Sequence, residues 1–228
     1  MPSADQILAS LHEVANTCRA LAIAWHVYFG LLAAALMYGV RPSRRAAGVL
    51  LGAPLVSVSV VAWSWSNPFN GVIFGAVGLL FVHRSLRLDA APARLASPWL
   101  ASAGALLFSV GWVYPHFLEG SSWHYLYAAP TGLIPCPTLL AVTGLALVLN
   151  GLGSRALLLI LGTTGLFYGV TGVVQLGVAL DWVLILGASV VMALALAGQP
   201  GREDGSIGSI GRTSSTVQRR QWQSGESR

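Results

Sequence analysis

Two stretches of the chain carry side chains able to do chemistry. The first is Tyr127-Ala128-Ala129-Pro130-Thr131-Gly132-Leu133-Ile134-Pro135-Cys136-Pro137-Thr138. Proline suits the first turn of a helix, where its missing N–H has no partner to lose, so Pro137 marks a helix start with Cys136 near the cap. Unpaired amides and the positive end of the helix dipole favour thiolate there. Such a sulfur suits a metal ligand or a redox centre; the alternative is a small buried residue in a proline-shaped turn. The second stretch places Thr164, Tyr168, Thr171 and Gln175 on one helical face. That face could line a solute path. With Gly162, Gly165, Gly169 and Gly172 beside it, it could equally be a packing surface between helices in lipid.

Histidines extend the candidate set. His26 lies within an apolar run, where ionisable groups usually face the bundle or a cavity; its plainer role is a hydrogen bond between helices. His116 and His124 precede Cys136 in a loop, and thiolate with imidazole suits Zn or Cu(I). The candidate metal ligands are therefore Cys136, His124 and His116, although their spacing matches no known ligand signature. The candidate ligand-binding set adds His26, Thr164, Tyr168 and Gln175. Arg44-Arg45, Asn67, Asn70 and Asp181 read as loop charges or helix caps.

The elements that must position these residues are membrane helices. Of 228 residues, 55% are hydrophobic and 9% charged, against about 25% charged in an ordinary soluble domain. Apolar runs cover about 21–40, 46–65, 70–84, 98–114, 136–150, 155–174 and 180–198, and a span needs about 20 mostly apolar residues. The expected fold is an all-α integral membrane bundle of about seven transmembrane helices. The third and fifth runs are short and start at Asn67-Pro68-Phe69-Asn70-Gly71 and Pro135-Cys136-Pro137, where irregular backbone can line a cavity. An outward-facing pocket roofed by the loop 115–135 is the expected site.

The arginines set the expected orientation. Arg41, Arg44, Arg45, Arg84, Arg87, Arg94 and Arg155 and those beyond residue 199 fall on one side of seven spans, and Arg19 on the other. By the positive-inside rule the N-terminus is outside and the C-terminus cytoplasmic. Trp63, Trp65, Trp112, Trp123 and Trp182 then form an outer aromatic belt. Residues 1–19 read as an amphipathic interfacial helix, with Ser3 and Gln6 as a capping box, and 20–198 as the bundle. Residues 199–228, rich in Gly, Ser and Arg, read as a disordered basic cytoplasmic tail.

Several function classes fall away. The 13 basic residues are all arginine, so a retinal or pyridoxal Schiff base and a P-loop lysine are excluded. The net charge of +5 is scattered between apolar runs, which argues against a nucleic-acid partner. No H-E-x-x-H, G-x-S-x-G or phosphate loop occurs, which argues against an enzyme. What remains is a carrier or binding protein for a small solute or metal ion such as Zn or Cu. The alternatives are an accessory or assembly subunit packed against a membrane-protein partner or a second copy, and a thiol redox membrane protein using Cys18 and Cys136.

Tyr114-Pro115, followed by Pro130-Thr131-Gly132-Leu133-Ile134-Pro135-Cys136-Pro137-Thr138, resembles the Y-P … P-T-x-G-x-P-C-P-T signature of an uncharacterised family of bacterial polytopic membrane proteins. Asn67-Pro68, Gly75-Ala76 and Leu79-Leu80-Phe81 are similar to that family's third span. His124-Tyr125 stands where the family often has Gly-His-x-Tyr-Pro, with Leu126 following here. The resemblance implies a multi-pass protein of the bacterial plasma (inner) membrane, in contact with the lipid bilayer, and brings no activity with it.

Overall fold

The computed structural model describes residues 3–197; the tail expected over 199–228 lies outside them. The described chain is all-helical, with nine α-helices: α1 (Ala4–Thr17), α2 (Arg19–Met37), α3 (Arg44–Ser64), α4 (Pro68–Leu86), α5 (Pro98–Val113), α6 (Tyr125–Ala128), α7 (Pro135–Val148), α8 (Arg155–Val170) and α9 (Asp181–Ala197). A π-helical turn, Thr171–Gln175, continues α8. Each of the seven apolar runs is a helix within a few residues of its expected bounds. Four of them, α2, α3, α4 and α8 with its π turn, are long and apolar enough to cross a membrane.

Helix ends follow local chemistry. Ser3 and Gln6 form the expected capping box, the Ser3 N–H donating to Gln6 Oε1 at 2.8 Å and the Gln6 N–H to Ser3 Oγ at 3.3 Å. The Asn67 side chain caps α4, and Pro68 fills the first turn. The third run is not short after all. Its helix continues to Leu86 through His83 and Arg84, whose side chains suit the negative end of the helix dipole. Pro54 sits inside α3 and lacks the N–H that would bond the carbonyl four residues back. That carbonyl, Leu50 O, takes the Tyr28 hydroxyl from α2 instead, at 2.8 Å.

The short helix α7 is the axis of the bundle. Every residue from Pro135 to Leu147 is buried, so it has no outward face, and α3, α5, α8 and α9 pack around it. Its 14 residues rise about 21 Å, less than a bilayer's apolar core of about 30 Å. Backbone approaches backbone along α5: a Cβ on Gly104 would lie 2.6 Å from Gly144 O, and one on Gly111 2.6 Å from Ala141 N. Small residues at such crossings are how helices associate without a hydrophobic drive. The outer helices turn Leu31, Leu79, Leu106 and Leu186 outward, each about two-thirds exposed.

The loops gather at two ends. At one, Arg44 forms an ion pair with Asp89 at 2.7 Å, and its guanidinium donates to Leu152 O at 2.7 Å and Gly153 O at 2.9 Å. One side chain thus clamps the connections before α3, before α5 and before α8. At the opposite end of α2 and α5, Asn16 Nδ2 donates to Phe117 O at 2.9 Å, and the Glu119 N–H donates to Asn16 Oδ1 at 3.0 Å. Helix α1 is therefore tied to the segment following α5.

Candidate functional site

The proline-rich segment before α7 is organised by its threonines. The Thr131 hydroxyl donates to Gly111 O on α5 at 2.6 Å. Thr138 Oγ1 accepts the Gly132 N–H at 2.8 Å and donates to Ile134 O at 2.6 Å. Gly132 adopts φ 86° with the Trp25 ring against it, so a side chain there would be both strained and blocked. Pro135 and Pro137 then occupy the first turn of α7, placing Cys136 between them and turned inward.

Around Cys136 the structure assembles a polar cluster inside the bundle. Cys136 is buried, with Sγ 4.0 Å from Tyr168 O, and it adjoins the carboxyl group of Asp181. Asp181 is only 1% exposed, and its Oδ1 accepts the buried Tyr114 hydroxyl at 2.7 Å. The other carboxylate oxygen lies against Gly172 in the π turn, so closely that a Cβ there would collide with it. Such turns recur at functional sites; here the widened backbone makes room for the carboxyl group. The Tyr168 hydroxyl donates to Asn70 Oδ1 on α4 at 2.8 Å, and the Phe74 ring packs edge-on against Tyr168.

Asn70 also opens onto a cavity. Asn67, Asn70, Ser10, Trp65, Leu133 and Pro135 are among its lining residues. At about 20 Å³ it has room for about one water molecule. Its walls come from α1, α3, the start of α4 and, from the loop 115–135 expected as the roof, Leu133 and Pro135.

Several expected site residues lie elsewhere. His26 is buried between helices, its ring nitrogens 2.9 Å from Ala22 O and 3.0 Å from Trp112 O. His116 stacks edge-on to Phe117 with its ring centroid 6.4 Å from that of His12. Burial and the neighbouring His12 hold His116 below the ordinary imidazole range. His124 faces Glu119 O at 3.4 Å and the Tyr127 ring. Among the described residues no three His, Cys, Asp or Glu side chains converge to hold a metal ion, so Cys136, His124 and His116 do not form the expected ligand set. The Cys136 sulfur faces acceptors, a carbonyl and a carboxyl group, which suits a thiol donor rather than the expected thiolate. Cys18 and Cys136 are both free.

The polar face of α8 divides. Thr164 and Tyr168 point inward, whereas Gln175 is exposed, because the π turn rotates its last residues out of the α-helical register. Asp181 and Asn70 read from the sequence as caps or loop positions, and Tyr114 only as part of the Y-P signature. One signal was legible: an acid abutting an apolar run is a functional candidate by default in a membrane protein.

Fold and site together define a class: an all-helical bundle with four helices fit to cross a membrane and a buried polar cluster toward the end opposite Arg44. No protein-family model, curated protein or solved structure matches the chain.

Proposed function

We propose that this is a multi-pass membrane protein of about seven spans that binds or carries a small solute through the cavity lined by Asn70, Leu133 and Pro135, one residue before Cys136. One observation carries the reading. A line of polar groups leads from the cavity through Asn70 and Tyr168 toward Cys136, within a bundle whose other buried residues are mostly apolar. Polar groups that membrane helices bury usually mark a solute or ion path. At about 20 Å³ the cavity admits little more than water, so a larger solute requires its walls to part.

The orientation follows from charge. The Arg44 end, with Arg41, Arg45, Arg84, Arg87, Arg94 and Arg155, faces the cytoplasm, and α1 lies at the outer face of a bacterial plasma membrane. With the candidate metal ligands apart, organic solutes are the first class to test. Thermal unfolding of the purified protein against a panel of amino acids, sugars and organic acids tests this. A ligand stabilises by RT ln(1 + [L]/Kd). The expected result is a solute that raises the wild-type midpoint and loses its effect in Asn70→Leu; a wild type that responds to none, or a variant that responds equally, overturns the reading.

A further inference from the structure

Asp181 is the one buried carboxyl group among the described residues, and its neighbours define what it can bind. From α5 comes the Tyr114 hydroxyl, a neutral donor at 2.7 Å. From α7 comes the Cys136 thiol, and from the π turn after α8 the backbone of Gly172. Its own N–H donates to Val178 O. None of these elements turns an arginine or a histidine toward it, and among the described residues the only ion pair is Arg44–Asp89 at the clamped end.

A carboxylate taken out of water without a cation is costly enough that the group neutralises instead. Oδ1 accepts the Tyr114 hydroxyl, and Oδ2 lies against Gly172. The species that fits is a proton.

We propose that Asp181 is a proton-binding site, protonated in the resting bundle, and that its proton is the coupling ion of the solute path. The step is a simple acid–base exchange: the carboxylate takes a proton from hydronium, leaving water, and returns it to water when the bundle opens. The coupling rests on the solute reading above, while the site itself stands without it.

Infrared spectroscopy of the full-length protein in lipid nanodiscs tests the site with no solute added. Asp181 is one of four aspartates in the chain, so a carbon-13 label on aspartate narrows the band to four groups and Asp181→Asn to one. The expected spectrum at pH 7 shows one protonated carboxyl band per chain, which shifts on carbon-13 labelling of aspartate and is lost in Asp181→Asn. Tyr114→Phe, which removes the hydrogen bond, shifts the band without abolishing it. This second variant and the isotope label keep the test decisive if Asp181→Asn does not fold. A wild-type spectrum with aspartate in the carboxylate form alone overturns the proposal even if solute binding holds. A labelled band that does not respond to Tyr114→Phe also overturns the assignment. The band present with no solute bound by any measure overturns the solute reading and leaves the proton site standing.

Discussion

The two ends of the bundle each hold an aspartate, and they are held in opposite ways. Asp89 meets Arg44 in the open, with side chains 56% and 24% exposed. Asp181 is buried against a hydroxyl, a thiol and a glycine, with no cation. Water already solvates Asp89, so its ion pair adds little and serves chiefly to register three loops. Asp181 has lost its water, so its partners must supply everything the solvent did. The same side chain is a fastening at one end and a chemical group at the other.

The contrast breaks most visibly at Gly172. Gly172→Ala drives a methyl group into the Asp181 carboxyl, and overpacking of this kind costs about 1–3 kcal/mol. Combining it with Asp181→Ala should give less than the sum of the two single losses, read as a coupling in a double-mutant cycle of thermal or denaturant unfolding. Additive losses would mean that the π turn does not hold the carboxyl group.

At the clamped end the effect should be smaller. Asp89→Asn removes one exposed ion pair, worth about 0.2–1 kcal/mol, and the loss should shrink further as salt is added. A loss equal to that of Gly172→Ala, and insensitive to salt, would erase the distinction between the ends.

The smallest expected effect is a pH dependence in the segment that ties α1 to the loop after α5. An unfolded imidazole titrates near 6.5, and burial holds that of His116 lower. Between the two values the unfolded chain binds a proton that the folded chain refuses. Stability is therefore fully present above about 6.5 and declines as pH falls through the folded value. His116→Gln should flatten that decline in a pH series of unfolding midpoints. An unchanged slope would place the acid sensitivity in a group other than His116.

The residue-level lessons differ by range. The capping box of α1, the proline start of α7 and the limits of the apolar helices depend on neighbours within a few positions, so residue type and spacing determine them. Composition likewise determines the helical, membrane-compatible class, since a chain with 9% charged residues has too little polar surface to coat a soluble fold. The site does not follow from such rules. Cys136 was prominent in sequence, but its partners Tyr168 and Asp181 stand 32 and 45 positions away, counted along the numbering, and no local pattern names them. Gln175 left the polar face because one π turn shifted its register, and His26 found two backbone carbonyls that no side-chain pattern announces. Only the packing of α5, α8 and α9 around α7 brings Tyr114, Tyr168 and Asp181 to Cys136. Burial and partnership are properties of that assembly, and they decide whether an aspartate is a surface charge or a buried acid.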